Sequence, residues 1–565
     1  MSKQNKTYDP KAQLRYNPHD LSHQLKFTSS VGQLLPVYYD FLSPGDKIEI
    51  TPQMFSRLQN MTSPAFTRLT EHVDFFAVPM NQLFSPFEAI FYGVKDFRSD
   101  FFSDIDNTKV KYPQYQLSQV KSFIGSSADI FGVKNLYNAS RLGDLLGIPH
   151  TMVDLPQTNN LRPNPILLQA YQKIYQDFYR LSSREEKDVE SYNLDSFYNQ
   201  TLITSRDRII KLFKLHYRPW KKDYFTNISP TPLVDNASIG MLHNWSPSGN
   251  LPKWLNSLID VQPRYANASE YQSPRPDDFV TDVSNTSITE YEGSGGGESI
   301  RMESVMQLKS MFSLYKLLEL TAKAGKTIDK QQLAHFGVRM PKGADGEVIY
   351  LGSSHGIIQV DSVVASADTN IGDVYNPLGS LGGKAQGSMQ GRKVSYTATE
   401  HCIIMGIYSC VPESDYSTLG LDYFHTYVYP ENFFKPELEQ LGKRPMFQFE
   451  AQLDNESSML NNSIIGWVEQ WRELKQKYDK TSAGLLTNWK NWVTQRVVNG
   501  SELSNFLINP NMLDSIMLVP FDKVGDSGLT SDLNPWATDP LIHVLHFDSR
   551  KLSKMSVETD KVKSL

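Results

Sequence analysis

The sequence predicts a mainly β protein, an antiparallel sandwich whose inter-strand loops are enlarged into helical and irregular insertions. Three observations carry that reading. Strand-like runs occur at both ends and in the middle of the 565-residue chain, without the regular strand–helix alternation of a doubly wound sheet. Aromatic residues make up 12%, with 28 Tyr and 29 Phe, and such side chains favour strands and buried surfaces between chains. The long stretches between strands carry helical periodicity or none. A jelly roll accommodates them, because its loops cluster at the ends of its sheets.

Residues 1–30 are polar and slightly basic through Lys3, Lys6, Lys11, Arg15 and Lys26. They read as a frayed terminus or as an arm lying against neighbours or DNA. Residues 34–41 form an apolar, aromatic strand, Ser43-Pro44-Gly45-Asp46 a turn, and residues 47–51 the start of a second strand, which together suggest a hairpin. In 67–79, Val73, Phe75 and Ala77 share one face, and His72 and Asp74 the other. Residues 163–181 predict a helix with Leu167, Ala170, Tyr171, Ile174 and Phe178 on one face and Pro163 or Pro165 in its first turn. Residues 298–324 predict another, on Val305, Leu308, Phe312, Tyr315 and Leu318, ended by Gly325.

Between these helices, residues 226–297 show little periodicity and are rich in Pro, Asn and Ser, ending in the soft linker 293–297. Roughly seventy residues is far beyond an ordinary connection, which suggests a functional projection, a small subdomain or a linker. Trp245, Trp254, Leu255, Leu258 and Ile259 argue for some packed structure there.

Strands return at 348–351, 357–364 and 394–411. From Cys402 onward both faces are apolar, so that half is expected to be covered on both sides. Residues 422–429 read as another aromatic strand. Residues 464–478 read as a helix on Trp467, Trp471, Leu474 and Tyr478, and 485–497 as a second one. Residues 541–547 are a terminal strand before a mixed-charge tail from Ser549. The expected organisation is an arm (1–30), strands with a helical insertion (31–225), a variable insertion (226–297), and the remaining strands with helical insertions and a tail (298–565).

The 56 basic and 62 acidic residues give a formal charge of -6, which excludes a uniformly basic nucleic-acid coat and leaves local patches for any DNA contact. The two cysteines, Cys402 and Cys410, lie eight residues apart in one strand-like run. They would stand roughly 27 Å apart, too far to bridge. Their spacing fits no zinc motif, and reduced, buried thiols are expected. The first residues lack the apolar core of a secretory signal, and no apolar run reaches the length of a membrane span.

Catalytic signatures are near misses. Gly383-Lys384 resembles the end of a phosphate loop, but Leu378 and Ala385 stand where glycine and Ser or Thr are needed. His543 and His546 are three apart on a strand and face opposite ways, so they cannot share a metal. No carboxylate pair can be nominated for acid–base work, and neither an enzyme nor a cofactor is expected.

One stretch is weighed for nucleic acid. Residues 211–222 interleave Lys211, Lys214, Arg218, Lys221 and Lys222 with Phe213, Tyr217 and Trp220. Cations neutralise phosphates while aromatic faces stack on unpaired bases. The plainer alternative, and the stronger of the two, is a helix end whose aromatics enter the core while its lysines meet water. The candidate DNA-facing residues are Lys211, Lys214, Arg218, Trp220, Lys221 and Lys222, with Lys3, Lys6, Lys11 and Arg15 of the arm.

Several stretches in one order resemble the major capsid proteins of microviruses, small single-stranded-DNA bacteriophages, especially the gokushovirus-like branch. They begin with Leu21-Ser-His-Gln-Leu-Lys-Phe27, Leu35-Pro-Val-Tyr38, Pro44-Gly45-Asp46, then Arg68 and the strand 72–79. Asn164-Pro165 follows, with Ala170-Tyr171, Ile174-Tyr175 and Phe178, then Lys222-Asp223-Tyr224-Phe225-Thr226 with Pro230. His335-Phe336-Gly337-Val338, the run 347–352, Thr399-Glu400-His401 with 403–408, and Asp539-Pro540 complete the set.

The resemblance implies an eight-stranded jelly roll with large loop insertions. It implies sixty copies in a T=1 icosahedral shell around circular single-stranded DNA, found in the virion and assembled in the cytoplasm of a bacterial host. It implies a small basic DNA-condensing protein and scaffolding and pilot proteins as partners, and no membrane insertion. The position of 226–297 resembles the family's variable insertion, which makes protrusions at the three-fold axes that meet a host receptor, with a glycan as the candidate class. Trp245, Trp254, Tyr265 and Tyr271 are its candidate contact residues. The rival readings are a jelly-roll glycan-binding adhesin and a carbohydrate-active protein.

Overall fold

The computed structural model describes residues 16–87, 112–125, 127–148, 161–182, 184–197, 202–230, parts of 313–339, 346–364, short pieces of 369–379, 381–417, 420–428, 432–436, 442–452, 463–496, 506–517 and 539–555. The variable insertion from 231 to 297, the arm cations Lys3 to Arg15 and most of the predicted helix 298–324 lie outside these residues. Two compact units are distinguished: residues 1–230, 327–329 and 339–565, and residues 231–326 and 330–338. In the second, Gln331 Nε2 donates to the Thr321 carbonyl at 2.9 Å.

The first unit is built on ten strands: β1 (Asn17–Asp20), β2 (His23–Ser29), β3 (Leu35–Leu42), β4 (Lys47–Leu58), β5 (Leu69–Pro79), β6 (Ile349–Val364), β7 (Leu381–Gln390), β8 (Val394–Thr397), β9 (Cys402–Pro412) and β10 (Leu541–Ser553). Eight form one antiparallel path in the order β1-β10-β4-β7-β6-β5-β9-β3, with β2 beside β10 and β8 beside β4. The path curls until its ends meet: Tyr38 on β3 lies 2.8 Å from Ser549 Oγ on β10, and Lys551 reaches Asp40 at 3.2 Å. The fold is therefore mainly β, an antiparallel jelly-roll sandwich with insertions.

Period-two alternation places the core. On β4, Ile48, Ile50, Met54 and Leu58 point inward, while Gln53, Phe55 and Arg57 point out. On β10, Leu541, His543, Leu545 and Phe547 are buried, and Ile542, His546, Asp548 and Arg550 are exposed. His543 and His546 thus face opposite ways, as their spacing required. Residues Cys402 to Cys410 of β9 are buried on both faces; neither cysteine is paired, and burial pushes the Cys402 thiol up to about 12.

Several sequence expectations are corrected. Residues 43–46 do form a turn, but β3 and β4 do not pair. The turn links distant strands of the curled path and is tied to the turn after β8, Gly45 N–H to Ala398 O at 2.7 Å and Ala398 N–H to Asp46 O at 2.8 Å. β5 is covered on both faces rather than one, because the insertion after it folds back over the strand. Residues 422–429 contain a 3-10 turn, Tyr423–Thr426, not a strand. Residues 464–478 are a strand, Ile464–Glu469, paired with Lys443–Phe447, and then one helical turn, Arg472–Lys475. Of the predicted helix 485–497, the described residues 485–496 hold only short turns and a two-residue strand. The terminal strand continues to Ser553, so no tail begins at Ser549.

Among its described residues, the insertion after β5 carries the helices α1 (Val120–Ile124), α2 (Asn135–Leu145), α3 (Ile166–Ile174) and α4 (Arg206–Leu212). Pro165 sits at the N-cap of α3, where the missing N–H costs nothing. Leu168, Ala170, Tyr171 and Ile174 pack into the core. The helix then widens into a π turn, Tyr175–Tyr179. That wider turn rotates Phe178 off the predicted face: it is 43% exposed and stacks on Tyr350 at 5.0 Å, while Tyr179 donates to Asp74 at 2.6 Å.

A buried ion pair locks α2 to the start of β10. Arg141 meets both oxygens of Asp539 at 2.7 and 2.8 Å, and also donates to Gln33 Oε1 at 2.9 Å. Removing one partner leaves a buried charge without compensation, so Arg141→Ala is expected to cost about 3–5 kcal/mol in urea unfolding. A loss below about 1 kcal/mol would contradict the assignment.

Two histidines make the fold sensitive to acid. His216 is buried with its Nε2 2.7 Å from Gln172 Oε1, and burial followed by the charge of Lys214 holds its pKa well below the ordinary value. Burial and then Arg218 hold His72 down to about 4. The unfolded chain takes up these protons near pH 6.5 and the folded chain does not, so stability falls as pH drops from about 6.5 towards 4. His72→Gln should flatten the change in urea midpoint between pH 7 and pH 5, and an unchanged slope would count against His72.

Candidate nucleic-acid interface

Residues 211–230 form α4's last turn and the chain that crosses the covered face of β5 and β9. Local sequence anchors this segment. Arg218 N–H donates to Gly32 O, Ile508 N–H to Arg218 O, and Trp220 N–H to Phe506 O. Gly32 has φ +74, and a Cβ there would stand 2.6 Å from Ile508 Cβ, so the close approach requires glycine. Further on, Asp223 Oδ1 accepts from the N–H groups of Phe225 and Thr226, and its Oδ2 accepts from Tyr416 at 2.6 Å. That turn seats Tyr224, Phe225 and Ile228 in a second apolar cluster with Tyr416, Met446 and Val468.

The cations of 211–222 divide into two groups. Lys211 is paired with Asp188 at 3.1 Å and Glu190 at 3.0 Å. Arg218 is paired with buried Asp74 at 3.1 Å, donates to Ser409 at 2.6 Å, and lies 5.6 Å from the Tyr179 ring. Arg218 holds the insertion onto the sandwich, and Lys211 ties α4 to residues 188–190 within the insertion. Lys214, Lys221 and Lys222 are exposed. The aromatics do not interleave with them at the surface. Phe213 and Tyr217 are buried, and Trp220 is buried under the Arg496 guanidinium at 4.7 Å. The stretch is therefore no stacking platform within this chain, and its free part is three lysines. Lys221 is close enough to bear on the charge of His72, at the margin of the uncovered sheet face.

The arm residues Lys3, Lys6, Lys11 and Arg15, and Trp245, Trp254, Tyr265 and Tyr271 of the insertion, lie outside the described residues. Lys26 is exposed on β2. Gly383 and Lys384 sit inside β7, in a strand rather than a phosphate loop.

One constellation escaped the sequence reading. Ser56, His543 and Glu71 come together on β4, β10 and β5, with Ser56 Oγ 2.6 Å from Glu71 Oε1 and 2.8 Å from His543 Nδ1. The residue types are those of a nucleophile, base and acid. All three are 0–1% exposed and lie between the sheets, so no substrate reaches them. No signal in the sequence joins residues so far apart along the chain. Among the described residues, no group of three His, Cys, Asp or Glu is placed to hold a metal, and no helix is long and apolar enough to cross a membrane.

A sandwich whose buried polar groups are spent on holding its sheets, with one outer face covered by its own insertion, is built as a rigid subunit rather than a catalyst. Such a subunit suits a viral coat. The chain belongs to the phage capsid protein (F protein) family, whose model matches residues 10–521, and is a major capsid protein of the microvirus type. It is 23% identical to capsid protein VP1 of Chlamydia phage 1, over 90% of this chain and 92% of that one. The VP1 capsid proteins of Bdellovibrio phage phiMH2K and Spiroplasma virus 4 are each 23% identical, over 80% and 81% of this chain and 78% and 80% of theirs. The family is structural, and its members reside in the virion.

The two groups of cations separate in a stability measurement. Arg218→Ala leaves Asp74 buried with one partner fewer and should cost about 1.5–3 kcal/mol. Lys222→Ala should stay within about 0.5 kcal/mol of the parent. Equal losses in urea unfolding would refute the division.

Proposed function

We propose that sixty copies of this chain close into a T=1 icosahedral shell around a circular single-stranded DNA genome, assembled in the cytoplasm of the bacterial host. The observation that carries the reading is the family match over residues 10–521, together with VP1 relatives aligned along most of their length. The physical chemistry agrees with it. A shell subunit needs a stiff body and several contact flanks, each burying roughly 1,200–2,000 Å². Exposed Phe66, Ile357, Phe433, Phe434 and Trp489 are apolar surface that a monomer has no use for.

In this reading the free lysines Lys214, Lys221 and Lys222, with the arm cations Lys3 to Arg15, face the DNA. The formal charge of -6 leaves most neutralisation to a small basic DNA-condensing protein. Scaffolding and pilot proteins serve assembly and entry, and the 226–297 insertion projects outward to a host receptor, with Trp245, Trp254, Tyr265 and Tyr271 as contacts.

Sixty subunits of 64.3 kDa make a shell of about 3.9 MDa. Negative-stain microscopy should show uniform icosahedral particles a few hundred ångströms across; a stable monomer under every assembly condition would sink the reading. In such particles, Lys214→Glu, Lys221→Glu and Lys222→Glu combined should lower packaged DNA without preventing folding. Unchanged nucleic-acid content in the purified variant would remove these lysines from the DNA face.

A further inference from the structure

The two outer faces of the sandwich differ. The face of β5 and β9 is covered by the insertion after β5, through Tyr179 on Asp74, Phe178 against Phe76 and Arg218 on Ser409. The face of β2, β10, β4, β7 and β6 carries exposed side chains along every strand. Registered pairing lays those side chains in rows. Gln24, His546, Gln53 and Gln390 stand opposite one another across four strands. Lys26, Val544, Phe55 and Ser388 form the next row, then Thr28, Ile542, Arg57, Gln386 and Gln359.

A trough of about 420 Å³ opens in this face, because small Ser388 lies between Phe55 and Ile357. Phe55 is 40% exposed and forms one wall; Ile357, 62% exposed, forms another. Gln359, Gln386 and His355 line the rest with hydrogen-bonding groups. The Arg57 guanidinium lies 5.3 Å from the Phe55 ring centroid, which sets a positive charge beside the trough. Lys384 is two residues along β7 from Gln386, and Lys26 is in the Phe55 row.

No described carboxylate lines the trough. Two acids of this face, Glu49 and Asp548, stand towards one end of it, and Asp361 stands beside the trough, two residues along β6 from Gln359. Glu49 is held by Lys47 at 2.8 Å and Lys393 at 2.5 Å, Asp548 lies beside Arg550, and Asp361 faces Lys384 across the strand pair. What remains at the trough itself is an aromatic wall, planar amides and the Arg57 cation, with no described carboxylate lining it. An apolar protein partner would strip water from Arg57 and give nothing back. A nucleotide supplies a flat ring for the wall, base edges for the amides and a phosphate for the cation.

We propose that this trough is a single-stranded nucleic-acid site: one base enters against Phe55, Gln359 and Gln386 meet its edge, and Arg57 takes a flanking phosphate. The proposal rests on the reading that the shell encloses single-stranded DNA, and makes the uncovered face of β2, β10, β4, β7 and β6 its inner lining. Because every base has a flat face, the site takes any sequence, as a packaged genome requires. Lys221, near His72, extends the same positive surface past β6.

The test is fluorescence anisotropy of a labelled short oligo(dT) with the full-length subunit from dissociated particles, at low salt. Phe55→Ala should weaken binding about tenfold, the scale of losing one stacked base. Arg57→Ala should lower the salt dependence by about 0.7 in the log–log slope, the value for one phosphate contact on a single strand. Ser388→Trp fills the trough without removing a charge and decides the matter should Phe55→Ala lose its cooperative melting. Parent-like affinity in both Phe55→Ala and Ser388→Trp overturns the trough and leaves the shell reading standing. Particles that form poorly while DNA affinity is unchanged also overturn it, in favour of a subunit contact on this face. No binding by the parent, with particles free of DNA, removes the trough and the genome-enclosing reading together.

Discussion

A carboxylate sealed between two sheets fixes the register of this sandwich. Glu71 on β5 accepts from Ser56 on β4 at 2.6 Å and from Tyr408 on β9 at 2.9 Å. Ser56 has one proton and gives it to Glu71, so His543 Nδ1–H must donate to Ser56, and His543 Nε2 lies 2.8 Å from Ser29 Oγ on β2. Five strands from both sheets meet in that network. A slip of one residue in any of them would turn its member outward and leave a buried polar group unsatisfied. Gly387 on β7 serves the same site: a Cβ there would stand 2.9 Å from Ile358 Cγ1 and 3.3 Å from Glu71 Oε2. The interior is thus specified by polar contacts as much as by the apolar cluster around them.

With the interior so fixed, the outer faces are free to diverge. One is closed by helices whose own polar residues are satisfied in place. Gln169 donates to the Leu83 and Tyr192 carbonyls, Gln172 to those of Leu212 and Lys214, and Lys173 pairs with Asp177 at 2.9 Å. α3 is therefore buried nearly all round, which an amphipathic pattern would not announce. The other face keeps its strands bare, and bare flat strands are a hazard unless something covers them. In a shell, that cover is a neighbour or the contents.

The strands were legible where side chains alternate or where both faces are apolar: β3, β4, β5, β9 and β10 all stand close to where their residues placed them. The misreadings have one cause, which is tertiary contact overriding local spacing. Trp467, Trp471, Leu474 and Tyr478 are spaced as on a helix, but Trp467 lies in a strand paired with Lys443–Phe447, and Trp471 turns the chain with φ +64. The turn at 43–46 has hairpin chemistry, yet β3 and β4 lie apart on one curled path and do not pair, a distinction that only long-range pairing makes. At 211–222 the plainer of the two readings, aromatics entering the core and lysines meeting water, matches the buried Phe213, Tyr217 and Trp220 and the exposed Lys214, Lys221 and Lys222. Whether a lysine is free depends on Asp188 and Glu190, some twenty residues away, and whether an aromatic is exposed depends on the core it meets. The trough was invisible for the same reason, since Phe55, Ile357 and Ser388 come from three distant segments and become neighbours only through register.

That register also reconciles an acidic chain with a nucleic-acid partner. Net charge counts every ion pair as zero, but the pairs are not spread evenly. Arg141, Lys173, Arg218 and Arg444 hold Asp539, Asp177, Asp74 and Glu450 inside the fold, so these residues contribute nothing to the outer field. Within a Debye length of about 8–10 Å, a ligand senses only the charges on the face it meets. On the uncovered face, alternation along β4 and β10 puts Arg57 out while Glu71 of β5 is turned in, and of the acids that face outward Glu49 is held by Lys47 and Lys393, Asp548 lies beside Arg550 and Asp361 stands opposite Lys384. The inward or outward turn of a few residues, set by strand register, decides the sign of that surface, and the total of -6 does not.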